Sequence, residues 1–240
     1  MKIEGKNPVN EILKSGSTIE KVMIADGITD PEVRAIQKIA REKGIKVEFA
    51  DRRALDKLSE TGHHQGVIAI YSDFEYADLR DVISAAKSKG EDLLFIILDE
   101  VLDPHNLGSV IRVAECAGAT GVIIPNRRSA TVNETVVRTS AGATAYVPVI
   151  KVSNLNQAIE ELKKQNVWVY AADMDGEIMH KTNLKGDIAL VVGGEGTGVK
   201  QLTKKLCDGV VAIPMFGRVN SLNASVSAGI VLYEAVRQRM

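Results

Sequence analysis

Three polar loops with the composition of ligand-binding turns occur in the later part of the sequence. They are residues 103–112 (DPHNLGSVIR), residues 193–198 (GGEGTG) and residues 213–227 (IPMFGRVNSLNASVS). Each lies between a predicted strand and a predicted helix, and the N–H groups in the first turn of a helix have no partners within that helix. Such turns bind anions and other ligands through the backbone. We expect the three loops to build one site together.

The glycine-rich loop would let the backbone approach a flat ligand such as adenosine closely. Gly194, Gly196 and Gly198 alternate, so the third glycine of the dinucleotide-binding fingerprint is not at its required spacing. The Gly-Lys-Ser/Thr end of a Walker loop is also absent. The spacing therefore argues against a nucleotide-dependent dehydrogenase, and an ordinary tight turn is the alternative.

Arg112 is the charged residue of the first loop. The pattern predicts a helix with Asn106 as its N-cap, and Arg112 lies about one and two-thirds turns further on, so we expect the two on different faces. The apolar neighbours Val110, Ile111 and Val113 favour partial burial of Arg112 and a fixed purpose. A surface or ion-pair role is the alternative.

A regular alternation of predicted strands and helices positions these loops. Strands are predicted at residues 93–99, 121–125, 145–152, 167–172, 188–193 and 209–215, and helices at residues 106–117, 132–140, 154–165, 199–206 and 223–239. This alternation indicates an α/β fold with a parallel sheet flanked by helices. Ligands of such sheets bind beyond the carboxyl ends of the strands.

The front of the chain predicts a second, smaller α/β domain. Residues 1–73 alternate short helices and strands, residues 74–92 are mixed and charged and are interpreted as a linker, and residues 93–240 form the larger domain. The basic side chains of residues 1–73 are partly clustered, around Arg34 in one predicted helix and at Arg52 and Arg53. They form either a solvated face or a surface that contacts RNA.

Composition places the chain among ordinary globular proteins. It has 240 residues, of which 45% are hydrophobic and 25% charged, and its formal net charge is -1. Attraction of the whole molecule to nucleic acid is therefore not indicated, although a local basic face is sufficient for phosphate binding. No apolar run approaches the roughly 20 residues that span a bilayer, and the first residues do not resemble a signal peptide. We expect no membrane partner.

The cysteines and histidines do not predict a metal site. Cys116 and Cys207 are isolated among small and apolar residues, which favours buried thiols in a reducing cytoplasm. His63 and His64 precede a predicted strand without a further ligand nearby, so we interpret them as part of a polar turn.

The three loops closely resemble, in order, the three motifs of the SpoU family. The matching residues are 106–112 (NLGSVIR), 193–196 (GGEG) and 213–215 with 221–227 (IPM and SLNASVS). These proteins are S-adenosylmethionine-dependent RNA ribose 2′-O-methyltransferases of the SPOUT superfamily. The front domain, with residues 5–7 (GKN) and 64–69 (HQGVIA), resembles the substrate-binding domain of the branch that methylates a guanosine of 23S ribosomal RNA. The resemblance covers nearly the whole chain.

The resemblance implies a fold, a cofactor and partners. It implies a SPOUT-type domain with a deep C-terminal trefoil knot, a homodimer, S-adenosyl-L-methionine as cofactor, and ribosomal RNA or a ribosomal precursor as partner. The catalytic residues would be Asn106, Arg112, Glu195, Ser221 and Asn223. One departure is Arg138, where the family usually carries lysine.

The resemblance also indicates which segments bind ligands. The residues expected to hold the cofactor are Thr139, Ser140, Ala141, Gly142, Gly193, Gly194, Ile213, Met215 and Leu222. The residues expected to contact RNA are Arg127 and Arg128, in a loop on the same edge of the sheet, and Arg34, Arg52 and Arg53 in the front domain.

Two other functions are compatible with this fold. Methylation of transfer RNA uses the same chemistry, but the tRNA enzymes of the family usually carry short helical extensions in place of such a front domain. A non-catalytic RNA-binding factor in ribosome assembly would have lost Arg112, Glu195 or Asn223, and all three are present. The sequence therefore favours an rRNA methyltransferase.

Overall fold

The computed structural model describes residues 1–15, 17–72, 74–196, 198–219 and 221–240. The chain separates into two compact units, Met1–Glu75 and Tyr76–Met240. Within the described residues, no helix is long and apolar enough to cross a membrane. The same part of the chain holds no group of three His, Cys, Asp or Glu side chains placed to bind a metal ion.

The first unit is a four-stranded sheet with helices packed against it. Its elements in chain order are β1 (Lys2–Glu4), α1 (Lys6–Lys14), β2 (Thr18–Ala25), α2 (Pro31–Glu42), β3 (Lys46–Ala50), α3 (Arg52–Leu58) and β4 (Val67–Ser72). The strand order is β1-β4-β2-β3. Strand β4 runs antiparallel to β1 and β2, and β2 runs parallel to β3. Aliphatic side chains of α1, α2, β2 and β4 form the main core.

The sequence at Asp30 and Pro31 predicts a helix start, with aspartate as the N-cap and proline at the first helical position, and α2 begins there. Asp30 accepts hydrogen bonds from the N–H groups of Glu32 (2.9 Å) and Val33 (3.4 Å), and Pro31 is the first helical residue. This satisfies two of the otherwise unpaired donors at the start of the helix.

Strand β1 escapes sequence prediction because three residues are too few to show a pattern. Its last residue, Glu4, accepts hydrogen bonds from the hydroxyl of Ser59 and from the N–H groups of Glu60 (3.2 Å) and Thr61 (2.8 Å). The bond from Ser59 is the first cause that lowers the pKa of Glu4 to about 2. The carboxylate thus joins β1 to the segment that precedes β4.

The second unit is a six-stranded parallel sheet between layers of helices. Its elements are α4 (Leu79–Ser88), β5 (Leu94–Asp99), α5 (Pro104–Cys116), β6 (Gly121–Pro125), α6 (Glu134–Thr139), a 3₁₀ turn (Ala143–Ala145), β7 (Val149–Val152), α7 (Leu155–Lys164), β8 (Trp168–Ile178), β9 (Ile188–Gly193), α8 (Gln201–Leu206), β10 (Gly209–Ala212) and α9 (Ala224–Arg239). The strand order is β10-β8-β9-β5-β6-β7. All neighbouring pairs are parallel, so the predicted α/β class is confirmed.

Residues 74–92, expected to be a linker, are for the most part a packed piece of the second unit. Leu79, Ile83 and Ala86 of α4 are buried in the same core cluster as Leu93 and Phe95. Charged residues on the outer face of α4 conceal this apolar side in the sequence, since a short amphipathic helix and a solvated segment have similar composition.

Two predicted strand limits differ from the structure at prolines. Strand β7 begins at Val149 rather than at residue 145, and β10 ends at Ala212 rather than at residue 215. Pro148 and Pro214 lie just outside the observed strands, and proline has no N–H group to donate to a neighbouring strand.

The cysteines are less buried than expected. Cys116 is exposed on α5 and Cys207 is partly buried. Desolvation, followed by the nearby charge of Asp208, raises the pKa of the Cys207 thiol to about 12, so Cys207 remains a neutral thiol near neutral pH.

Gly108 allows α5 and α6 to pack very closely. A Cβ atom at this position would lie 2.7 Å from Cβ of Thr139 and 3.0 Å from the carbonyl oxygen of Val136. Gly229 of α9 is different, because its Cβ would meet Val113 at 3.5 Å, an ordinary contact distance.

Glu234 fixes the end of α9 to the segment before β9. Its buried carboxylate accepts hydrogen bonds from Arg237 (2.7 Å) and Gln238 (2.8 Å) and lies 3.3 Å from Nδ1 of His180. The amide of Gln238 also donates to the carbonyl of Thr182 at 3.1 Å. The hydrogen bond from Arg237 is the first cause that lowers the pKa of Glu234 to about 2.

Replacing Gly108 by alanine is expected to destabilise the protein by about 1–3 kcal/mol, because α5 must move away from α6. Gly229→Ala is the matched control, and there the better helix propensity of alanine should stabilise by up to about 1 kcal/mol. Urea unfolding midpoints measure both effects. Equal shifts for the two variants would contradict the packing argument.

Glu234→Gln is expected to lower the thermal midpoint near neutral pH, and this loss should shrink as the solution is acidified. A carboxylate with a depressed pKa stabilises the fold above its ordinary pKa of 4.5, and the contribution disappears as the pH falls towards about 2. Melting curves near neutral pH and at about pH 3 test this. Glu160→Gln, at an exposed position of α7, is the control. A Glu234→Gln deficit independent of pH would show that the charge is not involved.

Candidate active site

The three loops meet because the strands before them end at one edge of the sheet. Strand β5 pairs with β9 from Leu94↔Ile188 to Asp99↔Gly193, and β8 lies between β9 and β10. The loops that leave β5, β9 and β10 therefore emerge at the same edge of the sheet, as expected for parallel strands.

Three side chains, one from each loop, are joined by hydrogen bonds. The amide nitrogen of Asn106 donates to Oε1 of Glu195 at 2.8 Å, and the amide nitrogen of Asn223 donates to Oδ1 of Asn106 at 3.0 Å. The amide nitrogen of Asn223 also lies 3.3 Å from Oε1 of Glu195. We call Asn106, Glu195 and Asn223 the loop triad. It closes a ring of contacts between segments far apart in sequence.

The sequence predicted Asn106 as the N-cap of α5, and this prediction is wrong. Helix α5 begins earlier, at Pro104, and Asp103 is the cap that accepts from the N–H group of His105 at 2.9 Å. Asn106 therefore lies in the first turn, where it is only 6% exposed. Its side chain does not cap the helix and instead makes hydrogen bonds with Glu195 and Asn223 of the other two loops.

Asn223 does cap its helix. Its side-chain oxygen accepts from the N–H group of Ser225 at 2.9 Å and from that of Val226 at 3.4 Å, while its nitrogen serves the loop triad. The same residue thus starts α9 and closes the site.

The glycine-rich loop is held at both ends by Asp99, the last residue of β5. The carbonyl of Asp99 accepts from Gly194 N–H at 2.8 Å, and its buried carboxylate accepts from Lys200 N–H at 3.1 Å. A Cβ on Gly193 would lie 1.9 Å from the carbonyl carbon of Gly198, and one on Gly194 would lie 2.2 Å from the carbonyl oxygen of Glu100. Only glycine fits at these two positions.

Beside the loop triad is a cleft of about 540 Å³. It is lined by the end of β8, the three strand-end segments and the start of α9: Ala172, Asp173, Met174, Val192, Gly193, Gly194, Glu195, Gly196, Gly198, Val211, Ile213, Met215, Ser221, Leu222, Asn223, Ala224 and Ser227. Its volume falls within the range of small-molecule sites. Exposed backbone, apolar side chains and a few polar groups suit a ligand with an aromatic base and a polar tail.

The structure brings most, but not all, of the expected cofactor residues to this cleft. Five of them line it, namely Gly193, Gly194, Ile213, Met215 and Leu222. The four that do not are at the end of α6, where Thr139 lies against α5 and Ser140 is buried, followed by Ala141 and Gly142. The hydroxyl of Thr139 is 3.4 Å from Nδ1 of His105.

Arg112 is exposed, whereas its apolar neighbours led us to expect partial burial. Val110 and Ile111 point into the core and Arg112 falls on the outer side of α5. Within the described chain, no hydrogen bond or ion pair engages its guanidinium group. Of the other expected catalytic residues, Glu195, Ser221 and Asn223 line the cleft, and Asn106 contacts two of them.

The two arginines after β6 differ in their surroundings. Arg127 and Arg128 are both exposed, but Arg128 lies 3.4 Å from the carboxylate of Glu100. Lys200 binds the same carboxylate at 2.6 Å and is the first cause of its lowered pKa. In the first unit, Arg34, Arg52 and Arg53 are exposed.

Sequence reasoning missed two contributors to the site. Asp99 ends a fully apolar strand with a buried carboxylate, which is an unusual position for an acid. Asp173 lines the cleft from β8, a strand that was not among the three chosen. In both cases an acidic residue directly after an apolar run was the available signal.

Family comparisons cover nearly the whole chain. Residues 93–233 match the SpoU rRNA Methylase family, and residues 2–77 match the family described as RNA 2′-O ribose methyltransferase substrate binding. The two matches follow the order of the two structural units.

Individual relatives agree with this. The chain is 41% identical to YacO of Bacillus subtilis (strain 168), a protein assigned to the TrmH family of tRNA/rRNA methyltransferases, over 98% of this chain and 94% of that protein. It is 42% identical to the 23S rRNA (guanosine-2′-O-)-methyltransferase RlmB of Xanthomonas campestris pv. campestris, over 99% of this chain and 96% of that protein.

A solved structure extends the likeness to the fold. An AdoMet-bound rRNA methyltransferase from Sinorhizobium meliloti superposes with a TM-score of 0.63 at 25% identity, covering 100% of this chain and 87% of the other. The chain therefore belongs to the SpoU family, and it is an RNA methyltransferase whose methyl donor is S-adenosyl-L-methionine.

Proposed function

We propose that this enzyme methylates the ribose 2′-hydroxyl of a guanosine in 23S ribosomal RNA, as naked RNA or in a ribosomal precursor. The proposal rests above all on the match of residues 2–77 to a substrate-binding domain of RNA 2′-O ribose methyltransferases. The relative with 42% identity is named as a 23S rRNA (guanosine-2′-O-)-methyltransferase, which supports the choice of RNA. Transfer RNA is the second candidate, because the name of the Bacillus subtilis relative includes both RNAs.

The cleft is the proposed cofactor site, and its residues fit the cofactor. Gly193 and Gly194 bring backbone to its wall, Ile213, Met215 and Leu222 supply apolar surface, and its volume of about 540 Å³ accommodates a nucleoside joined to an amino acid. When bound, S-adenosyl-L-methionine supplies an electrophilic methyl group on a sulfonium sulfur.

Arg112 is the proposed catalytic cation. The ribose 2′-oxygen must approach the methyl carbon in line and lose its proton during the transfer. A guanidinium group stays protonated and is a poor base. Arg112 therefore acts by binding the adjacent phosphate and stabilising the developing charge on the 2′-oxygen, with a phosphate oxygen or water accepting the proton.

The remaining site residues are assigned to positioning and RNA binding. The loop triad holds the three loops in register, and Ser221, which lines the cleft, is assigned to hydrogen-bonding the target nucleotide. Arg127, with Arg128 beside it, is assigned to RNA phosphates. In the first unit, Arg34, Arg52 and Arg53 are assigned the same role, since exposed cations supply most of the affinity for RNA backbone.

A homodimer in the cytoplasm is the proposed working form. Val226 and Tyr233 of α9 are about half exposed, at 48% and 49%, and they present an apolar face for a second copy. The C-terminal trefoil knot is likewise inferred. It is supported by the insertion of β9 between β5 and β8 and by the contacts of α9 with α5 and β9.

Arg112→Ala is expected to abolish methyl transfer, with a loss of at least about 100-fold, while S-adenosylhomocysteine binding is kept. The assay incubates the purified enzyme with labelled S-adenosylmethionine and unmodified 23S rRNA or tRNA, and maps the label to a ribose. Lys164→Ala, at an exposed position in the last turn of α7, is the control for loss of one positive charge.

The outcomes separate the candidates. Label on 23S rRNA supports the proposal, and label on tRNA alone supports the second candidate. An Arg112→Ala enzyme as active as the wild type would exclude the role given to Arg112. Cofactor binding without transfer to either RNA would favour a precursor particle or a non-catalytic role.

Asn106→Leu is expected to weaken S-adenosylhomocysteine binding by about tenfold or more, because the buried amide partners of Glu195 and Asn223 disappear together. Leucine has the same branching and number of heavy side-chain atoms as asparagine, and because its methyl groups are larger than the amide atoms, thermal melting verifies that the variant folds. Calorimetric titration measures the affinity, and His105→Leu at the neighbouring exposed position is the control. Unchanged affinity in Asn106→Leu would mean that the loop triad does not shape the cleft.

A further inference from the structure

The carboxylate of Asp173 lies in the wall of the cleft. It has no role in the proposed methyl transfer. Asp173 follows Ala172 on β8, and its side chain is 22% exposed. One oxygen, Oδ1, accepts the N–H group of Met174 at 2.7 Å. A Cβ atom on Gly198 would lie 3.8 Å from the other oxygen, Oδ2. The carboxylate therefore lies beside the glycine-rich loop.

Lys204 of α8 holds this carboxylate and offsets part of its charge. The ammonium group lies 2.8 Å from Oδ2 of Asp173 and 2.7 Å from Oδ1 of Asp175, and the lysine side chain is only 10% exposed. An ionised carboxylate has about four acceptor sites. The bonds from Met174 and Lys204 use two of them, so acceptor capacity remains towards the cleft.

A neutral donor suits this remaining capacity better than a second cation. Lys204 is shared by two carboxylates, but its ammonium group contacts Oδ2 of Asp173 directly, so a ligand ammonium group would approach this carboxylate next to an existing positive charge. A pair of hydroxyl groups meets no such repulsion and can use both oxygens. Recognition of ribose hydroxyls by an acidic side chain at the edge of a parallel sheet has a general precedent in dinucleotide-binding folds.

We propose that Asp173, positioned by Lys204, accepts hydrogen bonds from the ribose hydroxyls of the cofactor and so selects ribonucleoside over deoxyribonucleoside forms of it. This inference rests on the proposed cofactor site in the cleft. It assigns Asp173 to cofactor specificity and Lys204 to positioning, and it gives β8 a share in the site beside the three loops.

The test compares S-adenosylhomocysteine with its 2′-deoxy and 3′-deoxy analogues by calorimetric titration. Wild-type protein is expected to bind the ribose form about tenfold more tightly than at least one deoxy form. Asp173→Ala should weaken binding of the ribose form by a similar factor and bind all three ligands about equally. Asp173→Asn keeps the size of the side chain and one oxygen, and should retain part of the preference.

Asp175→Ala is the matched control. It removes the other carboxylate partner of Lys204, and Asp175 does not line the cleft. Its preference for the ribose form should equal that of the wild type, and thermal melting of all variants verifies folding.

The results separate this inference from the proposed site. Discrimination that persists in Asp173→Ala, or that is absent from wild-type protein, overturns the role of Asp173 while the cleft remains the cofactor site. Failure of wild-type protein to bind S-adenosylhomocysteine at all would overturn the proposed site itself. Equal loss of preference in Asp175→Ala would also overturn the direct contact proposed for Asp173, because Asp175 does not line the cleft.

Discussion

The hydrogen bonds among Asn106, Glu195 and Asn223 are the constraint on which the site depends. An asparagine amide donates and accepts at once, which lets Asn106 bridge a carboxylate and a second amide within about 3 Å of each. Asn223 uses its oxygen to cap α9 and its nitrogen to reach the other loops. One set of bonds therefore fixes both the start of the last helix and the shape of the cleft, so folding and ligand binding are coupled at this point.

This arrangement requires backbone to come closer to backbone than side chains allow. Strand β9 lies between β5 and β8, and its loop turns back over Asp99 and Glu100 at the end of β5. Gly193 and Gly194 have no room for a Cβ atom there. The same glycines line the cleft with backbone in place of side chains, so the close packing and this part of the cleft wall have the same cause.

The sequence predicted those features that depend on neighbouring residues. Apolar runs identified the buried strands, and local capping chemistry placed Asp30 and Asn223 at helix starts. Features that depend on which strands are adjacent were missed or misplaced. Asp173 reaches the cleft only because β8 lies beside β9, and Thr139 faces α5 rather than the cleft. Asn106 was placed as a cap because its pairing with Glu195 spans a long separation in sequence, which no local pattern reveals.

The cationic side chains of the second unit are of two kinds: some form ion pairs within the fold, and others are exposed at the surface. Lys204 is committed to Asp173 and Asp175, and Lys200 to Glu100. Arg112 and Arg127 are exposed at the surface. A protein with a net charge of -1 has little long-range attraction for RNA, so recognition must depend on where a few cations stand. Under the proposed function, Lys204 positions Asp173 in the wall of the cleft, and the exposed arginines remain available to RNA phosphates.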